Sequence, residues 1–137
     1  MKNLFLILMI TVLSIQTNYA QTATFLTSTR VDATLNESTQ EYVKSSETAP
    51  FDTFEFIINS GLIRNTSSAH KTYIYTVINT YINKDKGNRP EYDIVDAAGD
   101  KYYLVADIDN NWLKFTYVLE GKTYLTMFKI YKSMADE

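Results

Sequence analysis

The sequence predicts an all-β domain: a single antiparallel meander of about eight strands, forming a small barrel or barrel-like sheet with little helix outside an N-terminal leader. Three observations carry this. Apolar and polar side chains alternate in successive runs, which is strand spacing and would scatter the apolar residues around a helix. Short polar turns rich in Gly, Asn and Asp separate the runs. The chain also holds 11 Tyr and 7 Phe, rings that suit strands half buried and half wet.

Residues 1 to 20 carry one early charge, Lys2, an apolar run from Leu4 to Ile10 that continues loosely to Ile15, then polar residues ending in Ala20. That is the pattern of a secretory signal peptide cleaved after Ala20, and the run is too short to span a bilayer core of about 30 Å comfortably. Residues 21 to 137 then form the single domain, long enough to bury its own core. With no Cys, neither disulfides nor a cysteine-linked lipid is available, and no transmembrane anchor is expected after processing. The expected location is the periplasm or the exterior.

Residues 21 to 26 begin a first strand. Residues 29 to 35 alternate Val31, Ala33 and Leu35 against Arg30, Asp32 and Thr34, read as a short edge strand. After a turn at Asn36-Glu37-Ser38, residues 40 to 44 can pair back, and residues 45 to 51, with Pro50, are the most loop-like stretch. Phe54, Phe56 and Ile58 alternate with Glu55 and Ile57, Asn59-Ser60-Gly61 closes a turn, and residues 62 to 65 return. Residues 66 to 70 are a polar connection. Residues 71 to 84 fit both a helix and a strand with Thr72, Ile74, Thr76, Ile78, Thr80 and Ile82 on one face. β-Branched residues and Tyr dominate while Ala and Leu are absent, which predicts a long bent strand.

A charged loop over residues 84 to 90 leads into four strands. Tyr92 and Ile94 lie in the first, which ends at Ala97-Ala98-Gly99-Asp100; Tyr102, Leu104, Ala106 and Ile108 line one face of the second. Asp109-Asn110-Asn111 turns the chain into Trp112. In the third strand Leu113, Phe115, Tyr117 and Leu119 point one way, the face taken as core. A two-residue turn at Glu120-Gly121 then sets Leu119 opposite Lys122, Tyr117 opposite Tyr124, Phe115 opposite Thr126 and Leu113 opposite Phe128. In outline this is similar to lipocalin-like small barrels, although the Gly-x-Trp signature near the start of the lipocalin domain is missing, the single Trp being Trp112. The resemblance is architectural and implies no function or binding residue.

Mild acidity, a formal charge of −3 without a basic cluster, argues against nucleic acid and against docking on anionic lipid. His70, the one histidine, sits in a Ser/Thr loop, so neither a catalytic triad nor a zinc site is expected. The Asp107 to Asn111 run has alternate oxygen-bearing side chains but lacks the Gly and Glu of a calcium loop, with Trp112 and Val118 in their places. Asp93, Asp96 and Asp100 read as turn acids. No phosphate-cradling glycine loop is present, and no cofactor or metal is expected. Asn36 and Asn65 each begin a glycosylation sequon.

Two aromatic sets separate the functions left open. Tyr102, Phe115, Tyr117 and Tyr124 could line an internal pocket for a small apolar or ring-bearing ligand. Tyr73, Tyr75, Tyr81 and Trp112, read as outward, could instead contact a protein of the envelope or exterior. The first reading makes the chain a non-catalytic binding module; the second makes it an inhibitor, immunity or assembly factor.

Overall fold

The computed structural model describes residues 22 to 136, so the predicted leader lies outside the described residues. Nine strands follow in chain order: β1 (Thr22–Asn36), β2 (Glu41–Thr48), β3 (Asp52–Ile57), β4 (Leu62–Thr66), β5 (Thr72–Asn83), β6 (Arg89–Asp96), β7 (Lys101–Asp107), β8 (Trp112–Leu119) and β9 (Lys122–Asp136). From β3 onward each pairs antiparallel with the next. β1 joins β3 to β9, so eight strands close into a barrel and β2 is left as an extra strand on β1. Closure removes all edges but that of β2.

The first strand corrects the reading of residues 29 to 35 as an edge. β1 runs unbroken for 15 residues and has partners on both sides, β9 along one and β3 then β2 along the other. Register shifts against β9 near Thr27 interrupt its alternation, which is why one closing strand reads as two pieces. β2 also extends to Thr48, where a loop was expected from Ser45. Its residues are all exposed and show no apolar period, but the hydroxyls of Ser45 and Ser46 donate to the Asp32 carbonyl and carboxylate, each at 3.1 Å.

β5 is a strand, as predicted, with a bulge between Val77 and Asn79. The bulge divides the predicted face. Tyr75 and Val77 pair with Asp96 and Ile94 on the inside, whereas past the bulge it is Thr80 and Ile82 that pair with the buried Tyr92 and Pro90. In the terminal hairpin all four predicted cross-strand pairs are found. Glu120 (φ 51°) and Gly121 (φ 77°) both take positive φ, the requirement of the turn that matches strand twist. Leu119, read as core, is instead exposed, because the hairpin tip rises beyond the barrel wall.

Antiparallel order sends alternate connections to opposite ends. One end collects three 3₁₀ turns, Ile58–Ser60, Lys84–Lys86 and Ile108–Asn110, each followed by a left-handed residue: Gly61, Gly87 and Asn111. The other end collects the loops after β4 and β6 and the Glu120-Gly121 tip. Between them Phe25, Phe54, Ile63, Ile94, Leu104 and Leu113 are sealed from water. Their rings interlock: Phe54 meets Phe128 at 4.8 Å and Phe25 meets Phe56 at 5.1 Å, both edge to face. Outside, Arg64 pairs with Glu55, Arg89 with Glu91 and Lys114 with Asp107.

Candidate functional site: the open mouth of the barrel

At the end bearing the loops, the packed core stops short and leaves a hollow of about 960 Å³. Phe54, Phe115 and Phe128 form part of its lining, and tyrosines rise from there. Tyr75 packs edge-on against Tyr102 at 5.6 Å and lies tilted against Phe115 at 5.9 Å; Tyr102 meets Tyr117 at 5.4 Å; Tyr117 stacks on Tyr124 at 5.5 Å. The strand register explains the set, since these residues occupy inward positions of β5, β7, β8 and β9.

Three of the four rings predicted to meet a ligand, Tyr102, Phe115 and Tyr117, therefore line the hollow, and Tyr124 supports Tyr117 from behind. The set predicted as outward divides. Tyr73 and Tyr75 line the same hollow, because the register before the β5 bulge turns them inward with the buried Asn65 and Ile63. Tyr81 and Trp112 do face outward. The Tyr81 hydroxyl donates to Asp93 at 2.6 Å, and Lys129 lies over the Trp112 ring at 4.7 Å, so both belong to the polar outer wall.

The polar side of the mouth escaped sequence reasoning. Arg30 donates from Nε and a terminal nitrogen to the Asp32 carboxylate at 3.0 Å, and Thr126 donates to the same carboxylate at 2.8 Å. Burial alone would push Asp32 up, but the bonds from Arg30, Thr126 and Ser46 outweigh it and hold its pKa below the usual carboxylate range. Asp96 accepts the backbone N–H of Ala98 and Asp100 and the Tyr102 hydroxyl. Burial first, and Asp96 next, raise the Tyr75 and Tyr102 hydroxyls above the ordinary tyrosine range, so both are neutral phenols.

Asp52 stands between these groups and the core. It is 7% exposed; Asn65 donates to its Oδ2 at 3.3 Å, while its Oδ1 has no hydrogen-bond partner among the described residues. The signal that could have found it is weak: an Asp directly before the Phe54-x-Phe56 alternation, in register with the inward side chains.

The opposite end holds a smaller hollow of about 380 Å³, lined by Phe56, Ile58, Ile63, Val77 and Tyr92 among others. The Tyr92 hydroxyl is buried there without a partner among the described residues, and burial raises its pKa. In the segment read against a calcium loop, Asp107 is engaged by Lys114 at 3.1 Å and by Asn110 at 3.1 Å. No protein-family model matches the chain, and no curated protein or solved structure matches it either.

Proposed function

We propose that the protein is an exported, non-catalytic binding module that holds a small apolar or ring-bearing molecule in the mouth of its barrel. One observation carries this reading: a hollow of about 960 Å³ whose lining includes Tyr75, Tyr102, Phe115 and Tyr117. Ligand sites fall at about 300 to 1,000 Å³, and they combine apolar lining with a few placed polar groups. Asp32, Asp52 and Arg30 are such groups here, set on strands of a closed barrel and therefore rigidly spaced. Native mass spectrometry after gentle purification from the host envelope is expected to show a molecule that denaturation releases. Filling the rim with Ala98→Trp is expected to remove it. A clean apo mass from the host, with no uptake of aromatic ligands, would overturn the reading.

A second reading, an interaction factor of the envelope or exterior, draws on β2. That strand pairs with β1 alone and exposes every residue, with Tyr42 and Val43 on its opposite faces. An open edge of this kind can accept an added strand from a partner chain. Pull-down from host extract is expected to recover a partner that a Val43→Pro variant loses; an unaltered profile rejects this reading.

A further inference from the structure

We infer that the molecule held in the mouth is a protonated amine attached to an aromatic body, with the ammonium directed at Asp52 and the ring seated among the tyrosines. This rests on the reading of the mouth as a ligand cavity and names the chemistry of its occupant.

The charges lining the hollow are unbalanced. Among the described residues Arg30 is the single cation of the lining, against Asp32, Asp52 and Asp96, and Arg30 is already held in a two-point pair with Asp32. Two carboxylates therefore stand without a cation, and of these Asp96 already accepts two backbone N–H groups and a phenol. Asp52 differs. More than nine-tenths buried, it is among the residues lining the hollow, and while Asn65 donates to its Oδ2, its buried Oδ1 has no hydrogen-bond partner among the described residues. An unsatisfied buried acceptor costs more than an exposed one, and a charged N–H donor is the partner that relieves it best.

The rings point to the same ligand class. The tyrosine set presents π faces and edges around the same hollow that Asp52 lines. Aromatic faces attract ammonium groups, and offset or edge-to-face packing suits a flat aromatic body. An anionic ligand would meet the excess of carboxylates, and a purely apolar one would leave Asp52 Oδ1 buried without a donor.

Three indole compounds of nearly equal size separate the possibilities by isothermal titration calorimetry at neutral pH: tryptamine, protonated; tryptophol, neutral; and indole-3-propionate, anionic. Tryptamine is expected to bind about tenfold more tightly than tryptophol, the scale of one charge-assisted hydrogen bond, and the anion most weakly. Asp52→Asn, which keeps size and shape, is expected to remove the advantage of tryptamine while changing tryptophol by less than about twofold. The ligand series decides the matter on the unaltered protein even if that variant folds poorly. Equal binding of tryptamine and tryptophol overturns the amine preference and leaves the ring-binding reading standing. No binding by any of the three overturns both.

Discussion

The two ends of the barrel are built from the same strands yet differ in kind. Near the 3₁₀ turns, inward positions carry Ala23, Phe56, Ile63 and Tyr92, all buried; near the loops they carry Arg30, Asp32, Asp52, Tyr73 and Tyr75. The inward positions of β1 show the change within one strand. Ala23, Phe25 and Thr27 are buried, and past the bulge Arg30 and Asp32 take their place. Stability is thus concentrated in one half and the groups proposed for recognition lie in the other, and substitutions should separate the two.

The largest effect is expected at Leu104, which is fully buried between Tyr92 and Phe115 in register. Leu104→Ala should cost about 2–5 kcal/mol in urea unfolding, the range for a buried leucine that leaves a cavity. A mouth substitution such as Tyr117→Ala should cost far less stability yet weaken ring-bearing ligands. Equal losses at both sites would abolish the distinction between the ends.

Charged pairs allow a finer comparison. Glu91, on the outer wall toward the packed end, is 6% exposed and accepts hydrogen bonds from Arg89, Asn83 and Tyr103. Asp32 in the mouth has a similar number of donors, but its Arg30 partner is 43% exposed at the side chain. Glu91→Gln should cost about 2–3 kcal/mol, since it leaves a largely buried guanidinium short of its partner. Asp32→Asn should cost about 1 kcal/mol or less, because water screens the pair.

The same groups set the response to acid. Burial opposes the charged forms of Glu91 and Asp107, but donors from Tyr103, Asn83 and Arg89 on the first, and from Asn110 and Lys114 on the second, lower both pKa values, as the Arg30 pair does for Asp32. A depressed carboxylate contributes stability above its unfolded pKa and loses it as pH falls through the folded one. Unfolding free energy should be flat near neutrality and decline below about pH 4. Glu91→Gln should flatten that decline more than Asp32→Asn. Chemical denaturation at stepped pH measures both slopes.

Tyr92 marks the boundary from the packed side. Its hydroxyl is buried without a hydrogen-bond partner among the described residues, which costs free energy. Tyr92→Phe should raise stability by about 1 kcal/mol with ligand binding in the mouth unchanged. A destabilised variant would show that the hydroxyl has a use at that end.

What the sequence disclosed follows from the period of two. Where a strand keeps strict alternation and ends in a short turn, as from Trp112 through Phe128, even the cross-strand partners were legible. Bulges broke the reading. The shifts near Thr27 hid the continuity of β1, and the one after Val77 reversed the face of β5, so that Tyr73 and Tyr75 seemed to point outward. The start of β2 was legible as a return from the Asn36 turn, but its exposed residues 45 to 48 carry no apolar period, and the closing contact of the Asp32 network was hidden because Thr126 lies 94 residues from Asp32. Pairing at that range depends on closure, which no local pattern encodes.

The turns at the two ends offer the smallest test. At the packed end the left-handed positions are filled by Gly61, Gly87, Asn88 and Asn111, residue types that tolerate positive φ. At the mouth end the hairpin places Glu120 at φ 51°, where its Cβ is crowded and nothing local compensates as an Asn side chain would. Glu120→Asn should therefore add about 0.5 kcal/mol, read as a small rise in melting temperature, while Asn111→Glu at the packed end should lower it by a similar amount. If the first substitution gains nothing, the hairpin tip is held by the β8–β9 register alone, and turn chemistry is unimportant at the mouth end.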